Sequence, residues 1–541
     1  MLRRERRTDL AVFCVVAGLA LTYALFTNSA WEDWYITYRA SKNLAIGNGL
    51  VFNPGQRVHS FTSPLGTLIP ALLAWITGAG SDDRVLWLFR IASSGALGAA
   101  AVALRHCARA VPLTAAPTAL VIVLMAVDAK TLEFTTSGME TGFLLLFVAL
   151  TLRALLAPRT RYRAVELGIA WAGLMWTRPD GFVYAAVLSS AVWLWCPASA
   201  TGSSRRSLLR DCIMAAVITV ILYGPWFLWA WNYYGSPVPH PVTAKSQATG
   251  VRILAGGLLR YPGWLLTAGR LEDPLFLPAN YAMGGWPPVL GALSCLEILC
   301  ALYWLFPGSN RVARAISMAF LCLHAYLSAV TPRFHWYYPP VAMLGFLVIG
   351  NVVHDGRAAA ARWRESRREG VASMTVRLVP MASFALLVLL AATTVAASYQ
   401  LRVQQRLVEE GHRKQVGLWL RAQAQSPNDT VFLEPLGYIG FFSGLKIYDY
   451  PGLSSPEMVS AIRQVGHDWG KLIRRLDPDW LVLRPVETAR IMTSDPRLLT
   501  DRYVVARTFD VSKQVADERW LPGRGYLRND QTFVVYRRAA S

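Results

Sequence analysis

The sequence predicts an all-α polytopic membrane module of about eleven transmembrane helices, with amphipathic helices in the first external loop, and then a soluble C-terminal α+β domain. Three observations predict this. The chain has 541 residues, of which 54% are hydrophobic and 16% charged, against roughly 25% charged in soluble proteins. Its apolar runs alternate with short Arg clusters that all fall on one side of the alternation, the positive-inside pattern. From Ser398 onward the composition turns mixed and soluble in character. The division is therefore 1–397 for the membrane module and 398–541 for the second domain.

The net charge of +20 does not imply nucleic acid, because the Arg residues lie in loops between apolar runs. Twenty Trp residues suit a chain with two membrane interfaces. The seven Cys lie in or beside apolar runs and form no disulfide framework or metal-ligand spacing.

The first span, Leu10–Phe26, follows Arg3, Arg4, Arg6 and Arg7, which hold the N-terminus in the cytoplasm. It reads as a retained span rather than a cleaved signal. The stretch Trp31–Thr67 then emerges on the far side, with Ile36–Ile46 as a short amphipathic helix and turns at Asn48-Gly49 and Asn53-Pro54-Gly55. Ser63–Thr77 is apolar but shorter than the ~20 residues a span needs, so it is expected to lie in the interface. The next spans are Arg84–Leu104, Leu113–Val127, Thr141–Leu156, Val165–Thr177, Phe182–Trp195 and Cys212–Trp231. Lys130–Glu140 is expected outside, as is a long loop from Asn232 to Trp286. Pro288–Phe306, Ala315–Val330, Pro340–Val352 and Val376–Ala397 complete the set. In the tail, Ala396–Gln425 has helical spacing, and Thr430–Leu433, Trp480–Leu483, Tyr503–Arg507 and Gln531–Tyr536 read as strands.

Ionisable groups at membrane depth are costly and mark functional candidates. Those in this chain gather on the outer side: Glu32, Asp33, Arg39, Glu140, Arg178, Asp180, His240, Lys245, Arg333 and His335, with Tyr337 and Tyr338 in the same aromatic patch. Acids and bases on one face suit an anionic group held beside a group that must lose a proton. Simpler readings exist for several of them. Arg178-Pro-Asp-Gly181 reads first as a helix break stapled by an Arg–Asp pair, and Asp128 as a cap. There is no P-loop, no dinucleotide Gly-rich fingerprint and no cytoplasmic Asp-x-Asp. Any donor must then be membrane-soluble and reach the outer face.

The run Glu32-Asp-Trp-Tyr-Ile-Thr-Tyr-Arg39, followed by Gly47-Asn-Gly-Leu-Val-Phe-Asn-Pro-Gly55 and Thr62-Ser-Pro-Leu65, resembles the start of GT-C membrane glycosyltransferases that use polyprenyl-phosphate sugars. Ser137-Gly-Met-Glu-Thr141, Arg178-Pro-Asp-Gly181, Tyr234-Gly-Ser236 with Pro239 and Lys245, and Pro332-Arg-Phe-His-Trp-Tyr-Tyr338 are similar too. So are Glu434–Gly440, Asp449–Leu453 and Asp477–Arg484 in the tail. Within that class the chain is most like the terminal β-1,2-arabinofuranosyltransferases of mycobacteria and the bacterial pilin arabinosyltransferases. Members usually open the motif with two acids; Glu32 stands first here, which leaves Asp33 as the expected base.

The resemblance implies an external cavity beneath the first loop, roofed by the C-terminal domain. It implies inverting transfer of a sugar, D-arabinofuranose first, from a decaprenyl- or undecaprenyl-type phosphate to a glycan or glycoprotein acceptor. Asp33 would be general base with Glu32 orienting it. Lys245, Arg333 and His335 would balance the leaving phosphate, with Arg39 a further candidate. Glu140, Arg178, Asp180, His240, Tyr337 and Tyr338 would contact substrate. No cofactor is required and a divalent cation is not indicated. The setting is a bacterial inner membrane, with the site and C-terminal domain periplasmic. Two rivals remain: the same chemistry with a mannosyl or aminoarabinosyl lipid, and a lipid-linked sugar transporter, for which matched broken helices and inverted repeats would be needed.

Overall fold

The computed structural model describes residues 2–539 other than 79, 112, 197–203, 247–250, 268–270, 273, 330–333 and 366–368. The helices of the first part are α1 (Leu2–Thr27), α2 (Glu32–Ala45), α3 (Pro64–Thr77), α4 (Asp82–Ala110), α5 (Ala115–Ala126), α6 (Ala129–Thr136), α7 (Thr141–Leu156), α8 (Arg163–Thr177), α9 (Gly181–Trp195), α10 (Arg205–Tyr234), α11 (His240–Ser246) and α12 (Val251–Leu266). There follow α13 (Cys295–Leu302), α14 (Arg311–Ala329), α15 (Pro339–Glu365) and α16 (Glu369–Gln404). Among the described residues, the segments expected to span the membrane fall largely in helical structure. Among the described residues, six helices are long and apolar enough to cross a bilayer, seven if the α5–α6 pair, bent by 51°, counts as one span. The protein is thus a membrane protein, and its outer apolar girdle is plain on α10, where Val220, Ile221 and Leu228 are more than half exposed. Polypeptide in lipid must satisfy its own backbone, so these segments can only be helices.

Close helix packing holds the bundle. Gly142 on α7 lies so near α4 that an added Cβ would sit 2.3 Å from the Ser93 carbonyl oxygen. The short apolar stretch is α3, which leaves Leu72, Trp75 and Ile76 exposed, with Ser63 capping its N-terminus by accepting from the Gly66 amide.

Two regions carry structure the sequence does not announce. Residues 129–136 form α6, whose eight residues are all buried. Asp128 caps α6 through the Thr131 amide at 2.8 Å, and the Lys130 ammonium donates to the carbonyls of Pro274 and Leu275. Those partners are far away in sequence, so nothing local announces the burial. The loop 232–286 likewise contains α11 and α12.

The expected division at 397/398 falls inside continuous helix. α16 runs into a π-helical segment, Gln405–Arg413, and on into α17 (Lys414–Gln423). Beyond it come β1 (Thr430–Leu433), α18 (Gly437–Ser443), β2 (Lys446–Asp449), α19 (Pro456–Val465), α20 (Trp469–Leu476), β3 (Trp480–Leu483), α21 (Pro485–Ser494), α22 (Pro496–Asp501), β4 (Tyr503–Asp510), α23 (Ser512–Asp517), α24 (Arg524–Asn529) and β5 (Thr532–Arg538). All four expected strands are present; β2 was not foreseen. The sheet order is β2-β1-β3-β5-β4, with β2, β1 and β3 parallel and the last two antiparallel. One face packs on α19 to α22. The other packs on α17 and α18 and takes in Ile36 and Phe52 of the first loop. The loop and the sheet domain therefore share one core.

Candidate functional site

Trp31 is extended (φ −72°, ψ 151°) and opens α2. Its amide donates to the Ser137 carbonyl at 2.8 Å, and its ring packs on Phe134, Trp336 and Tyr526. Arg90, fully buried on α4, fixes the approach: it donates to the carbonyls of Thr136 (2.8 Å) and Ser29 (2.7 Å) and to Asn28 Oδ1 (2.9 Å). Glu32 and Asp33 then fall in the first turn of α2, where the helix dipole favours carboxylates.

Asp33 lines a small, partly open cavity with Thr37, Ser60, Thr62, Glu140, Lys245 and Tyr337, and Leu453 of the sheet domain lines it too. Its volume is about 60 Å³, room for roughly two waters and far below the about 300–1,000 Å³ of a ligand pocket. Leu453 is held there by Asp449, whose carboxylate accepts from the amides of Leu453 and Ser454 and from the Ser454 hydroxyl.

Burial pushes the Asp33 carboxyl above the ordinary aspartate range, against the pull of Lys245. The same burial lowers Lys245, which Asp33 opposes; its ammonium lies 4.1 Å from the Phe334 ring centroid. Burial also raises Glu140, against Arg178. Arg178 makes the expected staple to Asp180 (2.8 and 3.0 Å). Its guanidinium also stacks 3.7 Å over Tyr337, and Tyr326 donates to Asp180 at 3.2 Å. A carboxylate thus shares a small cavity with an ammonium group, and a second cation, Arg178, lies behind the Tyr337 ring of its lining.

Other expected site residues are elsewhere. Glu32 turns away from the cavity. It pairs with Arg413 at 3.0 Å and accepts from the Gly437 amide at 3.1 Å; burial pushes its carboxyl up to about 7, with Arg413 opposing. Arg39 is not placed for phosphate. It donates to the carbonyls of Gly440 (2.6 Å), Leu445 (2.9 Å) and Gly444 (3.3 Å) and stacks on Phe52. Burial and the neighbouring Lys130 lower the His335 imidazole to about 3, which works against the cationic form. His240 does not line the cavity; its amide donates to the His59 carbonyl at 2.8 Å. Tyr338 is a core residue beneath Lys130. Arg333 lies outside the described residues.

Sequence reasoning missed the latch around Asp33. The Ala30 amide donates to Gln405 Oε1 (3.0 Å), and the Tyr438 hydroxyl donates to the Ala30 carbonyl (3.0 Å). Gly437 approaches so closely that an added Cβ would sit 2.1 Å from the Glu32 carbonyl oxygen. Arg413 joins Glu32 to Glu409 and Asp530. The carboxyl end of β1 lies over this turn, and Glu434 there pairs with Arg484 at the end of β3. The Glu434–Gly440 motif was a signal; Gln405 and Arg413, in a π-helical turn, carried none.

Residues 397–536 match a family described only as a domain of unknown function (DUF8728). The terminal β-(1→2)-arabinofuranosyltransferase of Corynebacterium glutamicum is 26% identical over 260 residues, which cover 44% of this chain and 36% of that relative's length. Among solved structures, the oligosaccharyltransferase AglB of Archaeoglobus fulgidus, in complex with an inhibitory peptide and a dolichol-phosphate, superposes with a TM-score of 0.56 at 11% identity, covering 94% of this chain and 74% of that one. ArnT from Cupriavidus metallidurans, bound to undecaprenyl phosphate, gives 0.51 at 12% identity over 98% of both chains. The fold is that of the GT-C membrane glycosyltransferases.

Proposed function

We propose that this protein is an inverting glycosyltransferase. It moves a sugar, D-arabinofuranose first, from a polyprenyl phosphate to a glycan or glycoprotein acceptor on the extracytoplasmic face. The observation that carries the reading is the shared cavity of Asp33 and Lys245. The acceptor hydroxyl attacks the anomeric carbon in line and its proton passes to Asp33. The glycosidic C–O bond to phosphate breaks as the new one forms, and the leaving phosphate gains charge that Lys245 balances, with Arg178 behind. Low local dielectric strengthens both effects. The likeness to an arabinofuranosyltransferase supports the sugar, and the lipid phosphates of the two solved relatives support the donor class. An apolar groove of about 790 Å³ between α8, α9 and α10 supports it as well. Met175 and Phe182 line that groove and bracket the Arg178 turn, so a prenyl chain lying there would lead its phosphate toward the cavity. The setting proposed is a bacterial inner membrane, with the N-terminus cytoplasmic.

The test is the purified protein in nanodiscs with a panel of polyprenyl-phosphate sugars. Arabinofuranosyl transfer with inversion is expected. Preference for a mannosyl or aminoarabinosyl donor would move the reading to that sugar, and translocation without any new glycosidic bond would overturn it.

Two further outcomes follow. Lys245→Met should lower kcat about 10²–10³-fold, more than it weakens binding of the intact donor, because phosphate charge grows in the transition state; an effect on donor affinity alone would remove Lys245 from the chemistry. The acid limb of the kcat/KM profile should lie above the ordinary aspartate range, since burial raises Asp33 and the base works only when ionised. A profile flat down to pH about 4, the unperturbed aspartate value, would exclude Asp33 as the titrating group.

A further inference from the structure

On the opposite side of α2 from Asp33 lies a second, larger cavity of about 720 Å³, between the first loop and the sheet domain. Asp33, Ile36 and Thr37 of α2 face the first cavity, whereas Arg39, Lys42, Asn43 and Ile46 border the second. At 1.5 Å per residue, Asp33 and Lys42 are about 13 Å apart along the helix. The sheet domain supplies Arg421, Gln425, Phe441 and Phe442, and the start of α4 supplies Asp82.

From this lining we infer that the cleft is a saccharide-binding subsite that holds an inner part of the acceptor glycan while its end reacts at Asp33. The inference rests on the transferase reading above. Phe441 and Phe442 are half-buried, with ring centroids 5.1 Å apart and planes at 83°; such faces accept the C–H side of a sugar ring. The Lys42–Asp82 pair, at 2.8 Å with each side chain 28% exposed, places a donor and an acceptor together at the wall. The pair neutralises itself and leaves Arg39 and Arg421 as the other charged groups of the lining. Arg39 on the floor is already occupied by carbonyl oxygens. The volume falls in the about 300–1,000 Å³ range of small-molecule sites. A polymer engaged here raises the effective concentration of its own end at the catalytic cavity.

The experiment measures binding of a linear arabinofuranose disaccharide and pentasaccharide to the full-length Asp33→Asn protein in zwitterionic nanodiscs. The pentasaccharide should bind about tenfold tighter. Gln425→Trp, which fills the cleft from an exposed position, should abolish that advantage and leave the disaccharide affinity unchanged. Arg421→Asp, also exposed, makes the same test should the Trp variant misfold. Equal affinities for the two saccharides would overturn the inference. So would a Gln425→Trp effect that appears only with anionic phospholipid, which would assign the cleft to a lipid headgroup. If the wild type transfers no sugar but the pentasaccharide advantage persists and depends on Gln425, the transferase reading fails and the cleft stands as a saccharide site.

Discussion

Asp33→Asn should cut transfer by about 10²–10⁴-fold, the range supplied by a positioned general base, while donor binding and fold persist. Asn keeps the shape of the side chain and its place in the first turn of α2, so packing of Trp31 and the Ala30 contacts is untouched. What it loses is the ability to take a proton. Removing the buried carboxylate relieves one desolvated charge but takes the opposing charge from Lys245, so the two effects offset and stability should change little. The measurement is single-turnover transfer beside donor binding and thermal unfolding in detergent. Wild-type turnover by a purified, folded Asp33→Asn protein would end the assignment. Loss of donor binding in parallel with turnover would instead make Asp33 a binding group.

Arg413→Met should be the most destabilising single change in the sheet domain. The guanidinium is 2% exposed and bridges Glu32 at 3.0 Å, Glu409 at 2.8 Å and Asp530. Breaking a buried pair leaves an uncompensated charge and costs about 3–5 kcal/mol; here carboxylates from three elements lose their common partner. Activity should fall as well, because Glu32 precedes Asp33 and its anchor to the sheet domain would be gone. Lysine keeps the charge but not the fork of donors, so Arg413→Lys should recover part of the stability. An Arg413→Met protein with the parent's unfolding midpoint and turnover would show that the latch does not hold the turn.

Residue by residue, the membrane module was legible because lipid allows few solutions. An apolar run in lipid forms a helix, and Thr141–Leu156 appears as α7 with those bounds. The strands β1 and β3 were equally legible, as short apolar runs between turn residues. The lysine and the acids of the outer face could be nominated because charge at that depth is costly. Their grouping could not. Arg39, in the best-marked motif of the chain, meets carbonyls about 400 positions later, and no local pattern encodes such a partner.

The sequence by itself pointed to a GT-C-like bundle and nominated Asp33 as the base, with Lys245, Arg333 and His335 as the groups facing it. Only tertiary structure placed Asp33 and Lys245 on one cavity while Glu32 and Arg39 meet the sheet domain, and buried His335 against its charge. The reason is physical. Helix and strand follow from periodicities a few residues long, but the charge state and role of a polar side chain follow from what long-range packing leaves within a few ångströms of it.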